Sequence, residues 1–178
     1  MLQTKDNLIV DKNENEVLLR GVCIGGWMNL ENFIIGYPGS EHRLRKCMAD
    51  TIGHEKARLW FQKLMDYMFN EEDIRFIKSC GASVVRISVN YRHFEDDNNP
   101  FVYKEEAFQR LEKIFKLCER YHLYAILTLH SAPGWQNTDW HCDNSSRHSL
   151  FWQHSHFQER FIELWKEFAK RFKNNPVI

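Results

Sequence analysis

Tyr124-Ala-Ile-Leu-Thr-Leu-His130-Ser-Ala-Pro-Gly-Trp-Gln-Asn137 joins an apolar run of strand length to a Pro-Gly loop, with a histidine at the junction. A buried strand that delivers a polar side chain straight into a loop is how a parallel α/β barrel furnishes its functional face. The device recurs upstream: Ala82-Ser-Val-Val-Arg86-Ile-Ser-Val-Asn90 sets an arginine inside a run otherwise fit for burial. Each of the two runs follows a segment of helical pattern, so their ends are expected to share one site.

The rest of the chain supplies the alternation such a fold needs. His54 to Phe69 has helical patterning, and a second helix is expected from Asn70, with Glu72 and Asp73 in an acidic first turn and Gly81 as its left-handed stop. Glu105 to Tyr121 places Phe108, Leu111, Phe115 and Cys118 on one helical face. Phe157, Phe161, Leu164, Trp165, Phe168 and Phe172 stripe another helix, which ends near Asn174-Asn-Pro176, and Val177-Ile178 reads as the opening of a further strand. Near the N-terminus, Leu8–Val10 and Val17–Leu19 flank the polar turn Asp11–Glu16 and predict a hairpin, followed by Gly21–Ile24 as a first buried strand. The predicted fold is α/β: the N-terminal half of a (β/α)8 barrel, with a short β-hairpin over 1–20 and βα units over 21–178. A closed barrel needs about 250 residues, so the chain reads as one incomplete domain. Its open apolar edge is expected to favour self-association.

Composition narrows the function. With 24 basic and 24 acidic residues the chain has no net charge, which gives no footing for a nucleic-acid surface. No apolar stretch approaches the roughly 18 residues of a membrane span. The polar stretch Met1–Asn15 lacks the apolar core of a signal peptide, and Cys23, Cys47, Cys80, Cys118 and Cys142 read as reduced, buried thiols; a cytoplasmic location is expected. His141, Cys142, His148, His154 and His156 crowd one loop, but their spacing is poor for a tetrahedral ion, and neither a metal nor any other cofactor is expected.

Four segments, in order, resemble family 5 of the glycoside hydrolases, the cellulase and exo-β-glucanase family of (β/α)8 barrels. They are Leu19-Arg-Gly-Val-Cys-Ile-Gly-Gly-Trp27-Met-Asn-Leu-Glu31, Gly81-Ala-Ser-Val-Val-Arg86-Ile-Ser-Val-Asn-Tyr91, Leu127-Thr-Leu-His130-Ser-Ala-Pro-Gly-Trp-Gln-Asn137 and Asn174-Asn-Pro-Val-Ile178. Cys23 stands where the family usually has Asn, and Ser88 where Pro is common. The resemblance implies a retaining β-glycosidase with a glucan-like oligo- or polysaccharide substrate. Its two glutamates would follow the fourth and seventh strands, beyond Ile178, so the chain alone is expected to be inactive without the rest of the barrel.

By the same resemblance Arg86 would orient the nucleophilic carboxylate and His130 would hydrogen-bond a sugar hydroxyl or a carboxylate. Glu31 would accept from substrate hydroxyls, and Tyr91, Trp135 and Asn137 join it as substrate-binding candidates. Each has a plainer reading. Arg86 alone reads equally as a salt-bridged strand-end arginine, His130 as a core histidine, and Glu31 as a solvated loop carboxylate. Tyr91 and Trp135 read equally as loop packing. A non-catalytic carbohydrate-binding half-barrel, or the remnant of a disrupted gene, is the alternative function. A phosphate-handling barrel is a third, but its usual anion site depends on later loops.

Overall fold

The computed structural model describes residues 2–178. Its centre is a three-stranded parallel sheet in the order β3 (Gly21–Ile24), β4 (Val84–Asn90), β5 (Tyr124–Ser131). Helices α1 (Asn32–Ile35), α2 (Glu41–Ile52), α3 (His54–Tyr67) and α4 (Glu71–Ser79) connect β3 to β4; α5 (Glu105–Arg120) connects β4 to β5; α6 (Ser155–Phe172) follows β5. Parallel neighbours cannot be joined by a tight turn, so each crossover carries helix.

One face of the sheet is buried by these helices. Val85, Ile87, Val89, Ala125 and Leu129 pack with Ile74 of α4, with Phe108, Leu111, Phe115 and Cys118 of α5, and with Leu164 and Phe168 of α6. The punctuation expected from sequence is present. Asn70 and Asp73 form a reciprocal capping box on α4, and Gly81 stops that helix at φ 85°. Beyond α6, Ala125 N–H donates to the Val177 carbonyl at 2.7 Å, so the segment after α6 approaches β5 on its free side. An apolar groove of about 410 Å³ runs between β5 and α6 there, lined by Ile126, Leu127, Trp165, Phe168, Phe172 and Ile178.

Three expectations are corrected. The regular hairpin pairs β1 (Gln3–Lys5) with β2 (Leu8–Val10), not Leu8–Val10 with Val17–Leu19. Asp6 at φ 54° makes a tight turn between β1 and β2, whereas Asp11 spends its carboxylate on Asn13 N–H and Asn15 N–H, leaving a single bridge from Val10 to Glu16. Gly21–Ile24 is a strand but an exposed one, because it has a neighbour on one side only; Val22 is 48 % exposed. Cys118 and Cys142 are buried, but Cys23, Cys47 and Cys80 are exposed free thiols. None of the helices among the described residues is long and apolar enough to cross a membrane.

Candidate active site

Side chains alternate between the faces of a strand, and the register fixes which ones share a face. Cys23 is paired with Arg86, Arg86 with Ile126, and Ser88 with Thr128. These residues therefore stand on the face turned away from the helices, the one that would line a barrel. Arg86, partly buried, donates from Nε to Thr128 Oγ1 at 3.0 Å and from Nη1 to Cys23 Sγ at 3.3 Å. Among the described residues it forms no ion pair, so the salt-bridge reading has no partner and three guanidinium N–H groups remain uncommitted.

At the upper end of the sheet the ladder breaks. Val89 pairs with Leu129 but Asn90 pairs with Ser131, so His130 is the extra residue of a β-bulge. Bulges re-aim side chains and recur beside active sites. Burial pushes the His130 imidazole below its usual value, and the charges of Arg86 and His141 push the same way, so the ring is held neutral above that range.

Glu31 caps α1 by position rather than by a side-chain bond, and its carboxylate has no hydrogen-bond partner among the described residues. A Cβ built on Gly25, two residues beyond Cys23 on the same face, would lie 2.4 Å from Glu31 Oε2. Only glycine lets that carboxylate settle against the end of β3. Trp135 has left-handed backbone at φ 59°, and its indole N–H is sealed from solvent without an acceptor among the described residues. The loop that carries it is closed by Gln136, which donates to the His130 carbonyl at 2.6 Å and accepts from Ala132 N–H at 3.0 Å.

Two candidates fall elsewhere. Tyr91 is 1 % exposed, and its hydroxyl donates to the Asp97 carboxylate at 2.9 Å. With no open ring face it is a packing residue, which corrects its assignment to substrate. Asn137 is exposed, but its side-chain oxygen accepts from Asp139 N–H at 2.8 Å and from the Cys142 thiol at 3.0 Å, shaping its own loop.

A family model for cellulase, glycosyl hydrolase family 5, matches residues 40–178. The chain belongs to this family. It is 48 % identical over 177 residues to a β-xylosidase of Phanerodontia chrysosporium, covering 99 % of this chain and 37 % of that protein. It is 28 % identical over 176 residues to a probable glucan 1,3-β-glucosidase A of Aspergillus clavatus, covering 96 % of this chain and 40 % of the relative. The rutinosidase of Aspergillus niger superposes at TM-score 0.73 with 18 % identity over 87 % of this chain and 44 % of its own, a likeness of fold. The neighbouring enzymes are (β/α)8 barrels, and the parallel sheet here is that of a partial barrel. The chain thus spans less than half the length of these proteins.

Sequence reasoning missed a buried polar layer behind the family 5 strand ends. Ser131 donates to Asn29 Oδ1 at 2.7 Å. Glu41 of α2, 2 % exposed, accepts from Leu30 N–H at 3.0 Å, from Arg45 at 2.7 and 2.8 Å, and from Asn90 Nδ2 at 3.4 Å, with His93 Nε2 at 3.3 Å. Asp143, in the loop after β5, accepts from Asn90 Nδ2 at 3.1 Å, Arg92 Nε at 3.0 Å and His42 N–H at 2.6 Å. Burial pushes Glu41 upward, but Arg45 and His93 outweigh it and hold the carboxyl well below the usual range. Burial and the Glu41 charge push Asp143 up. The signal available in sequence was Glu41-x3-Arg45 followed by Lys46-x3-Asp50, two opposite-charge pairs at helical spacing.

A cleft of about 760 Å³ opens outside this layer, between α2, α3 and the start of α5, with Arg45, Arg92 and Arg110 in its lining. None of Glu31, Arg86, His130 or Trp135 lines it. We place the candidate site on the barrel-facing side, because there the polar groups are uncommitted, whereas the cleft's buried charges neutralise one another.

Proposed function

We propose that the protein is a retaining β-glycosidase acting on a glucan-like saccharide, and that Arg86, His130 and Glu31 are its supporting polar groups. The observation that carries this reading is the Arg86 guanidinium, turned to the barrel-facing side with no carboxylate partner among the described residues. A retaining mechanism needs two carboxyl groups about 5–5.5 Å apart, one as nucleophile and one as acid and base. In this family they follow later strands than the three described, and an arginine with spare donors is suited to keeping such a nucleophile ionised and oriented. A neutral His130 can donate from one ring nitrogen and accept at the other. Glu31 offers acceptors to sugar hydroxyls, and Trp135 offers a ring.

On this reading residues 21–178 are βα units of one barrel domain, the partner is an oligo- or polysaccharide, and the 178-residue chain alone is inactive. Five free thiols, three of them exposed, favour a reducing compartment such as the cytoplasm. The test is turnover of 4-nitrophenyl β-D-glucoside and β-D-xyloside by the full-length gene product. Arg86→Ala and His130→Ala are expected to lower kcat at least a hundredfold while leaving the fold intact, as for groups acting chiefly in the transition state. Saccharide binding without turnover in the full-length wild type would establish the non-catalytic alternative. Variants that unfold with no selective loss of kcat would return both residues to a structural role.

A further inference from the structure

We propose that Cys23 and Thr128 are positioning residues that fix the direction of the Arg86 guanidinium, with Ser88 orienting the Cys23 thiol; this rests on the reading of Arg86 given above. An arginine side chain has several soft torsions, and a catalytic guanidinium is useful only if its fork is held in one plane. Here three adjacent strands share that task. Thr128 on β5 accepts from Nε at 3.0 Å and Cys23 on β3 accepts from Nη1 at 3.3 Å, so the group is held from both sides. Ser88 Oγ lies 3.4 Å from Cys23 Sγ, which ties the thiol to β4 as well.

The register explains the aim. Cys23 stands level with Arg86, whereas Thr128 is the partner of Ser88, one step toward the C-terminal ends of the strands. A guanidinium bonded to both leans toward the strand ends, where Glu31 and His130 are placed. Two of its five N–H groups are spent on the cradle, and three stay free for a two-pronged grip on a carboxylate. The departures Cys23 and Ser88 are therefore linked: one supplies the acceptor and the other directs it.

The test uses the full-length gene product and an aryl β-glycoside it turns over. Cys23→Ala and Thr128→Val are each expected to lower kcat about tenfold, the scale of one hydrogen bond to a charged group, with KM changed less than about twofold. Cys23→Ser and Thr128→Ser are expected to restore most of that loss. The double variant Cys23→Ala/Thr128→Val is expected to approach Arg86→Ala rather than multiply the single effects, since all three act through one guanidinium.

Capping thiols of the folded wild type with methyl methanethiosulfonate perturbs the same sulfur without a substitution. It should lower kcat, with reversal by dithiothreitol, and should leave the residual kcat of Cys23→Ala unchanged although Cys47 and Cys80 remain exposed. Wild-type kcat in Cys23→Ala and Thr128→Val, beside an inactive Arg86→Ala, would overturn the cradle and leave the site standing. Wild-type kcat in Arg86→Ala would instead overturn the reading of the site and the cradle with it.

Discussion

Replacing Glu41 by glutamine separates a buried ion network from ordinary surface charge. The wild-type carboxylate is 2 % exposed and receives donors on both oxygens: Arg45 on one, with His93 Nε2 3.3 Å away, and Leu30 N–H and Asn90 Nδ2 on the other. An amide satisfies one set only, because its NH2 must face donors on whichever side it turns. Breaking a buried ion pair by removing one partner costs about 3–5 kcal/mol. Arg45 keeps 32 % exposure and recovers some hydration, which places the expected loss near the lower end, at about 3 kcal/mol. With a urea dependence of roughly 2 kcal/mol per molar, the midpoint falls by about 1.5 M.

The pH dependence carries a sign. The folded Glu41 carboxyl is held below its ordinary value of 4.5. Its contribution to stability is therefore complete above that value and is lost as the pH falls through the lower folded one. Urea melts followed by circular dichroism should show the full gap between wild type and Glu41→Gln at pH 7, and a narrower gap once the pH is below about 4.5. Asp143→Asn should cost less at neutral pH, because burial and the neighbouring Glu41 already disfavour its ionised form. Equal midpoints for wild type and Glu41→Gln, or a gap that does not change with acid, would refute this account of the layer.

Three further outcomes follow from other parts of the molecule. In a histidine NMR titration, His130 should titrate below 6.5 because of burial and the Arg86 charge, and Arg86→Gln should raise it; a wild-type value at or above 6.5 contradicts the placement. Purified alone, the 178-residue chain should associate through the exposed β3 edge and the groove beside β5, with no turnover of aryl glycosides. A stable monomer at micromolar concentration in sedimentation would count against it. In the full-length protein, Trp135→Ala should raise KM severalfold with little change in kcat if the ring meets a sugar, and an unchanged KM would assign it to loop packing.

The legible parts of the fold were those whose burial is apolar and periodic. Phe108, Leu111, Phe115 and Cys118 announce α5 because each meets the sheet, and the run from Val84 to Val89 announces β4 because its helix-facing side must be apolar. Helix α2 was silent for the opposite reason. Its buried positions are Glu41 and Leu44, and a carboxylate that anchors a helix leaves no hydrophobic stripe to count. The site was legible in part. Arg86 and His130 stand out as polar residues in apolar strands, and the register puts Arg86 on the face turned away from the helices. Tyr91 follows its strand just as closely, yet the chain turns into a single turn of 3-10 helix there and carries the ring into the core. The one local sign of the turn is Asn90, which accepts from Arg92 N–H.

The bulge at Val89 and Asn90 has a consequence best put as parity. A regular strand assigns odd and even positions to opposite faces, so Arg86, Ser88, Thr128 and His130 would form one unbroken column. By letting His130 and Ser131 stand together opposite Asn90, the sheet changes phase once, just where it ends. Below the change, substitutions are constrained by the column that holds Arg86. Above it, Asn29, Asn90 and Ser131 answer to the loops they fasten. The two ends of the same strands are therefore held by separate sets of contacts, and a change at the rim need not move the arginine beneath it.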